Sequence, residues 1–194
     1  MGDGSGSRTK RAAERRFISR CRRRIRDIPP RCNPCKERSR AKVFRYYLIA
    51  ACVFIADHAA KRLVSTYMKI GQEVPLIPGV LGLASVRNSG AAFGLLQGQL
   101  LFFIVATTVV LAGMICYLPQ ARLEGKRMSY GLALIMGGAL GNFIDRIFKG
   151  EVVDMIQVHF LDFPVFNIAD SFLCLGVVLV MIHHLKGARA PNNR

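Results

Sequence analysis

Asn142-x-x-Asp145 and Asn167-x-x-Asp170 repeat one polar pattern, and Asp154 lies between the two copies. Residues three apart on a helix share a face, so each unit can set an amide beside a carboxylate; Asn142 and Arg146, four apart, share a face by the same rule. Two carboxylates held close cannot both ionise readily: one keeps a proton and the pair titrates as a unit. The ionised member can take a proton from water, while the protonated member polarises a carbonyl and later protonates a leaving amine. This is hydrolysis without a covalent intermediate. No Ser/His or Cys/His pairing competes with it among these polar residues: no thiol is at hand for His159, and His58 lies inside an apolar run. Spacing alone leaves open which of Asp145, Asp154 and Asp170 would pair. Each also has a structural alternative: a helix cap with a first-turn acid for Asn167 and Asp170, an interfacial pair for Asp145–Arg146, and ordinary loop charge for Asp154.

These residues must be positioned by the apolar elements around them. Four runs, Phe44–Val64, Leu100–Leu118, Met128–Phe148 and Phe166–Leu185, stand out in a chain that is 52% hydrophobic. Each is about the 20 residues that a helix needs to cross a hydrocarbon core. The second has neither charge nor polar stripe, which argues against a soluble bundle. The expected fold is an all-α membrane protein, a four-helix transmembrane bundle. The first run ends in Lys61 and Arg62 rather than at a small-residue cleavage site, so it reads as a retained anchor. Between runs one and two, Ser65–Gln99 contains Pro75, Pro78, several glycines and β-prone pieces such as Leu81–Val86, which predicts a small extracytoplasmic β-element.

The net charge of +16 is uneven: residues 1–45 carry 16 Lys/Arg against 4 Asp/Glu, the remainder 12 against 8. The expected organisation is a basic, disordered cytoplasmic tail over 1–42, a transmembrane domain over 43–186, and a cytoplasmic C-terminal tail over 187–194. The tail reads as hugging lipid headgroups, with no nucleic-acid partner expected, because no aromatic interleaving or folded module accompanies its arginines. Arg122, Lys126 and Arg127 after run two, and Lys186, Arg189 and Arg194 after run four, place those segments on the tail's side under the positive-inside rule. Both termini are then cytoplasmic, and Asn142, Asp145, Arg146, Asp154, Asn167 and Asp170 gather at the outer interface. Charges at such depth are costly and usually functional.

Within run one, Asp57 and Lys61 stand four apart, a structural helix ion pair. Gly137-x-x-x-Gly141 permits close approach of runs three and four. Cys52, Cys116 and Cys174 sit in apolar runs as small hydrophobes, and Cys32-Asn-Pro-Cys35 lacks the second ligand pair that a zinc site requires. No metal and no cofactor is expected. Asp57 and Asp145 as relay groups of a transporter or proton pathway are the alternative, disfavoured by the concentration of carboxylates at one depth.

RNSGAAFG (87–94), GGALGNFIDR (137–146), EVVDM (151–155) and FPVFNIADS (163–171), with Asp57 and Lys61 upstream, together resemble lipoprotein signal peptidase (signal peptidase II) over essentially Phe44–Leu185. The resemblance implies a bacterial inner-membrane aspartyl endopeptidase, with diacylglyceryl prolipoproteins as substrates, cut before the lipidated cysteine. It also implies membrane lipids as neighbours; a monomer is expected. It makes Asp154 and Asp170 the catalytic pair, a choice that helix-face spacing cannot make. Asn88, Asn142, Asp145, Arg146 and Asn167 become substrate-binding or supporting residues, and Asp57 and Lys61 structural ones. The Arg-rich extension stands outside the family pattern, and Met155 occupies a position where Phe is also common.

Overall fold

The computed structural model describes residues 34–90, 95–160 and 163–188. The basic segment 1–33, the end 189–194 and Ala91–Gly94 of the RNSGAAFG motif lie outside the described residues. The architecture below is that of Lys42–Arg194.

Among the described residues, four helices are long and apolar enough to cross a membrane. They are α1 (Pro34–Tyr67), whose apolar part is Val43–Tyr67, α2 (Leu100–Glu124), α3 (Lys126–Lys149) and α4 (Ile168–Ala188). Three strands, β1 (Glu73–Ile77), β2 (Leu81–Asn88) and β3 (Val152–Val158), form one antiparallel sheet in the order β1-β2-β3. The first two lie within Ser65–Gln99, where strands are expected. The third is not anticipated: the stretch after α3 reads as a connection. Gly150 ends α3 in the left-handed conformation that favours glycine, at φ 75°, and its N–H donates to the Arg146 carbonyl at 3.1 Å. The chain then turns directly into β3.

Tyr46, Ala50, Val53, Asp57, Lys61 and Val64 form the buried stripe of α1, repeating every three or four residues. Its N-terminal part, Tyr46 and Ala50, joins Leu111, Met114 and Leu118 of α2 and Leu132, Ala133 and Met136 of α3 in one core. Its C-terminal end packs Val64 against Val153 and Met155 of β3. Outward-facing side chains such as Val109 and Val178 stay exposed, as a lipid-facing surface requires.

Glycines set the close approaches, though differently from the expected arrangement. Gly137 faces α1, where a Cβ would lie 2.6 Å from the Ala50 carbonyl oxygen. The α3–α4 contact is built on Gly131 and Gly138 against Gly176 and Ala169, and Gly141 leaves room for the Asp57 carboxylate. Small residues bring backbones together where lipid supplies no hydrophobic drive between helices. Gly138→Val is expected to destabilise the protein by about 1–3 kcal/mol or more through overpacking. Gly113→Ala, where an added Cβ meets nothing within 4 Å, should be neutral; thermal unfolding of both in detergent measures the difference.

Candidate active site

Each candidate carboxylate is delivered by a different element. Asp154 lies on β3, and strand alternation sorts its neighbours. Val152 and Asp154 face one cavity, whereas Val153 faces the opposite side of the sheet. Asn88, paired in register with Val152 at the end of β2, faces the same cavity as Asp154. Its side chain accepts from the Gly90 N–H at 2.9 Å and donates to Asp154 Oδ2 at 2.9 Å.

Asp170 sits in the first turn of α4. An antiparallel bridge between Ile156 and Phe166 folds the segment before this helix back onto β3. Asn167 then caps the helix: its Oδ1 accepts from the Asp170 N–H at 3.0 Å, while Asp170 Oδ2 accepts from the Asn167 N–H at 3.2 Å. This is a reciprocal capping box. The structural alternative for Asn-x-x-Asp is therefore present, yet the same residues also reach the cavity. Asp170 Oδ1 accepts from Asn142 Nδ2 at 2.7 Å, and Asn167 Nδ2 lies 2.7 Å from Asp154 Oδ1 and 3.2 Å from Asn142 Oδ1. Asn167 thus touches both carboxylate environments, which no spacing rule reveals.

Asn88, Asn142, Arg146, Asp154, Asn167 and Asp170 line one cavity of about 450 Å³. Asp145 does not. The Asn142-x-x-Asp145 unit divides: Asn142 and Arg146 face the cavity, and Asp145 turns to Lys61 and Lys149, at 2.9 and 2.8 Å. Lys61 also pairs with Asp57 at 2.7 Å and donates to Asn142 Oδ1 at 2.9 Å. Asp57 Oδ1 in turn accepts the Ala169 N–H at the start of α4, at 2.8 Å. Asp57, Lys61 and Asp145 are all buried. The i,i+4 pair is thus the centre of a network that ties α1, α3 and α4 together directly beneath the cavity.

Two further contacts escape sequence reading. Arg146 Nη2 donates to the Gly90 carbonyl at 2.9 Å, and its guanidinium stacks over Phe103 of α2, 4.6 Å from the ring centre. Phe103 is one apolar residue within LLFFIV, and nothing local distinguishes it. Phe163, Leu173 and Cys174 give the cavity an apolar flank.

Burial pushes the Asp154 carboxyl up from 3.8 to about 6; the amides of Asn88 and Asn167 oppose this, and the negative charge of Asp170 adds to it. Among the described residues no cluster of His, Cys, Asp and Glu has the geometry to hold a metal ion. The site is two acids from separate elements, each oriented by asparagine amides, one of them inclined to keep its proton into mildly acidic pH.

The profile of the signal peptidase (SPase) II family matches residues 49–186. This chain belongs to that family. The lipoprotein signal peptidase of Geobacillus thermodenitrificans is 49% identical over 140 residues, covering 71% of this chain and 88% of the relative. That of Halalkalibacterium halodurans is 43% identical over 146 residues, covering 74% and 94%. A solved bacterial membrane enzyme superposes with a TM-score of 0.74 at 40% identity, over 77% of this chain and 93% of its own. The resemblance and the membrane-helical fold read from the sequence are borne out, and the chain is a membrane peptidase of the signal peptidase II family.

Two outcomes follow from this geometry. Lys61→Met leaves the Asp57 and Asp145 carboxylates buried without their shared cation, with an expected cost of about 3–5 kcal/mol in unfolding experiments. The second concerns pH. An acid whose folded pKa is raised contributes its full stability below the unfolded value and loses it as pH rises through the folded value. With 3.8 and about 6 for Asp154, Tm is expected to fall between about pH 3.5 and about pH 7, and Asp154→Asn should lack that component of the fall, worth up to about 3 kcal/mol over the whole window.

Proposed function

We propose that this protein removes signal peptides from diacylglyceryl-modified prolipoproteins, cleaving before the lipidated cysteine, with Asp154 and Asp170 as the catalytic pair. The observation that carries the assignment is the convergence of these two carboxylates, from β3 and α4, on one cavity where Asn88, Asn142 and Asn167 orient them. Asp154, whose burial favours the protonated form, donates to the scissile carbonyl oxygen. Asp170, in the first turn of a helix and accepting two N–H donors, lines the same cavity and takes the proton from the attacking water. The tetrahedral intermediate then collapses, with a proton delivered to the leaving amine. Arg146 and Gly90 border the cavity and serve to hold substrate backbone.

The active-site end of the bundle faces outward in this reading. The sheet, the end of α3 and the start of α4 lie at one end, while the basic α2–α3 turn and Lys186 at the end of α4 lie at the other. Both termini are then cytoplasmic. The diacylglyceryl group stays in the bilayer and fixes the scissile bond at headgroup depth, where water reaches the pair and binding of the lipid positions the peptide. A proton-pathway role for Asp57 and Asp145 has less support, because both carboxylates are ion-paired with Lys61.

Purified protein in lipid, given a diacylglyceryl precursor, is expected to release the signal peptide. Asp154→Asn and Asp170→Asn should each lower turnover by at least about 10²-fold while the protein still folds. Normal processing by either variant refutes the pair.

A further inference from the structure

A second cavity, of about 730 Å³, lies on the opposite side of the sheet and of α3 from the catalytic one. The two surfaces alternate residue by residue. Asn88 and Val152 face the catalytic cavity, and their in-register neighbours Arg87 and Val153 face this groove. On α3, Asn142 and Arg146 line the first cavity, whereas Asp145, Phe148 and Lys149 line the second.

The groove has a polarity gradient. Along α1, Phe54, His58, Arg62 and Ser65 recur at spacings of four, four and three and line one wall. Phe54 stacks on His58 at the deeper level, and Ile144 and Phe148 supply apolar surface from α3. At the sheet end stand three cations, Arg62, Arg87 and Lys149. Their compensation is incomplete. Asp145 is shared between Lys149 and Lys61, and Arg87 lies a loose 3.6 Å from Glu151, whose side chain is 40% exposed. Arg87 also donates weakly to Ser65 Oγ at 3.4 Å. Arg62 is exposed and has no hydrogen bond or ion pair among the described residues.

We infer that this groove between α1 and α3 binds an anionic phospholipid. The phosphodiester lies against Arg62, Arg87 and Lys149, and an acyl chain descends past Phe148, Ile144 and Phe54. An arginine at a membrane interface, with planar donors directed at a phosphate, suits this ligand. The apolar floor, buried in hydrocarbon, suits its chain. This site is separate from the one that takes substrate and does not depend on the assignment of the catalytic pair.

The test is native mass spectrometry and thermal unfolding of the full chain in neutral detergent, titrated with phosphatidylglycerol or phosphatidylcholine of matched chains. One phosphatidylglycerol is expected to bind per chain and raise Tm; phosphatidylcholine should do so far less. Arg62→Gln, which removes no intramolecular bond, and Arg87→Gln should each weaken the phosphatidylglycerol effect about fivefold. Lys69→Gln, an equal charge loss at an exposed position on the same side, should leave it unchanged. Equal binding of the two lipids, an equal loss in Lys69→Gln, an undiminished effect in Arg62→Gln, or reproduction of the Tm shift by inorganic phosphate alone overturns the proposal.

Discussion

A lysine buried at 1% exposure between two carboxylates at 0% and 1% constrains everything around it. Charges removed from water destabilise unless every donor and acceptor finds a partner. Lys61 meets that demand with three acceptors: Asp57 from its own helix, and Asp145 and Asn142 from α3. Asp57 passes the constraint on by accepting an otherwise unpaired N–H at the start of α4. Three helices that share no hydrophobic drive to associate within lipid are thereby held in one register, to within the tolerance of a hydrogen bond. Gly141 is part of the same device, since a Cβ there would collide with Asp57 Oδ2 at 2.5 Å.

The geometry of the candidate site is built on that network rather than beside it. Asn142 accepts from Lys61 and Asn167 through one atom and donates to Asp170 through the other, so its amide orientation follows from the charge beneath it. Asn167 is oriented by the capping of α4 and passes that orientation to Asp154. The hydrogen bonds that satisfy helix termini and buried ions therefore also aim the two acids. A side chain locked by packing and secondary contacts is what a site needs to hold its geometry without reorganising during reaction.

Much of this was legible from residue types and spacing, and what was not has identifiable reasons. Helix length and apolar runs located the four spans, because a bilayer imposes a length on any helix that crosses it. The i,i+4 relation of Asp57 and Lys61 was readable because it is local. The partner Asp145 was not, since which face α3 turns toward α1 depends on glycines whose neighbours lie in other helices. For the same reason spacing alone offered Asp145 as readily as Asp154, and only the motif resemblance favoured Asp154. Strand β3 was hidden because its period-two pattern is short and follows a helix without a turn cluster. Phe103 carried no signal at all: its stacking on Arg146 is a property of how α2 lies against α3.

The sheet solves a problem that the helices cannot. A carboxyl carried on a transmembrane helix at the depth of the Lys61 network would find cations and no substrate. β3 instead projects Asp154 from outside the bundle onto the helix ends, and alternation along the strand puts Val153 and Met155 into the apolar core that anchors it. One strand thus buries its acid deeply enough to favour a retained proton, while leaving the opposing acid half-exposed at a helix terminus where negative charge is favoured. The difference in environment between the two positions, more than either residue alone, is what supports the proposed division of roles between donor and base.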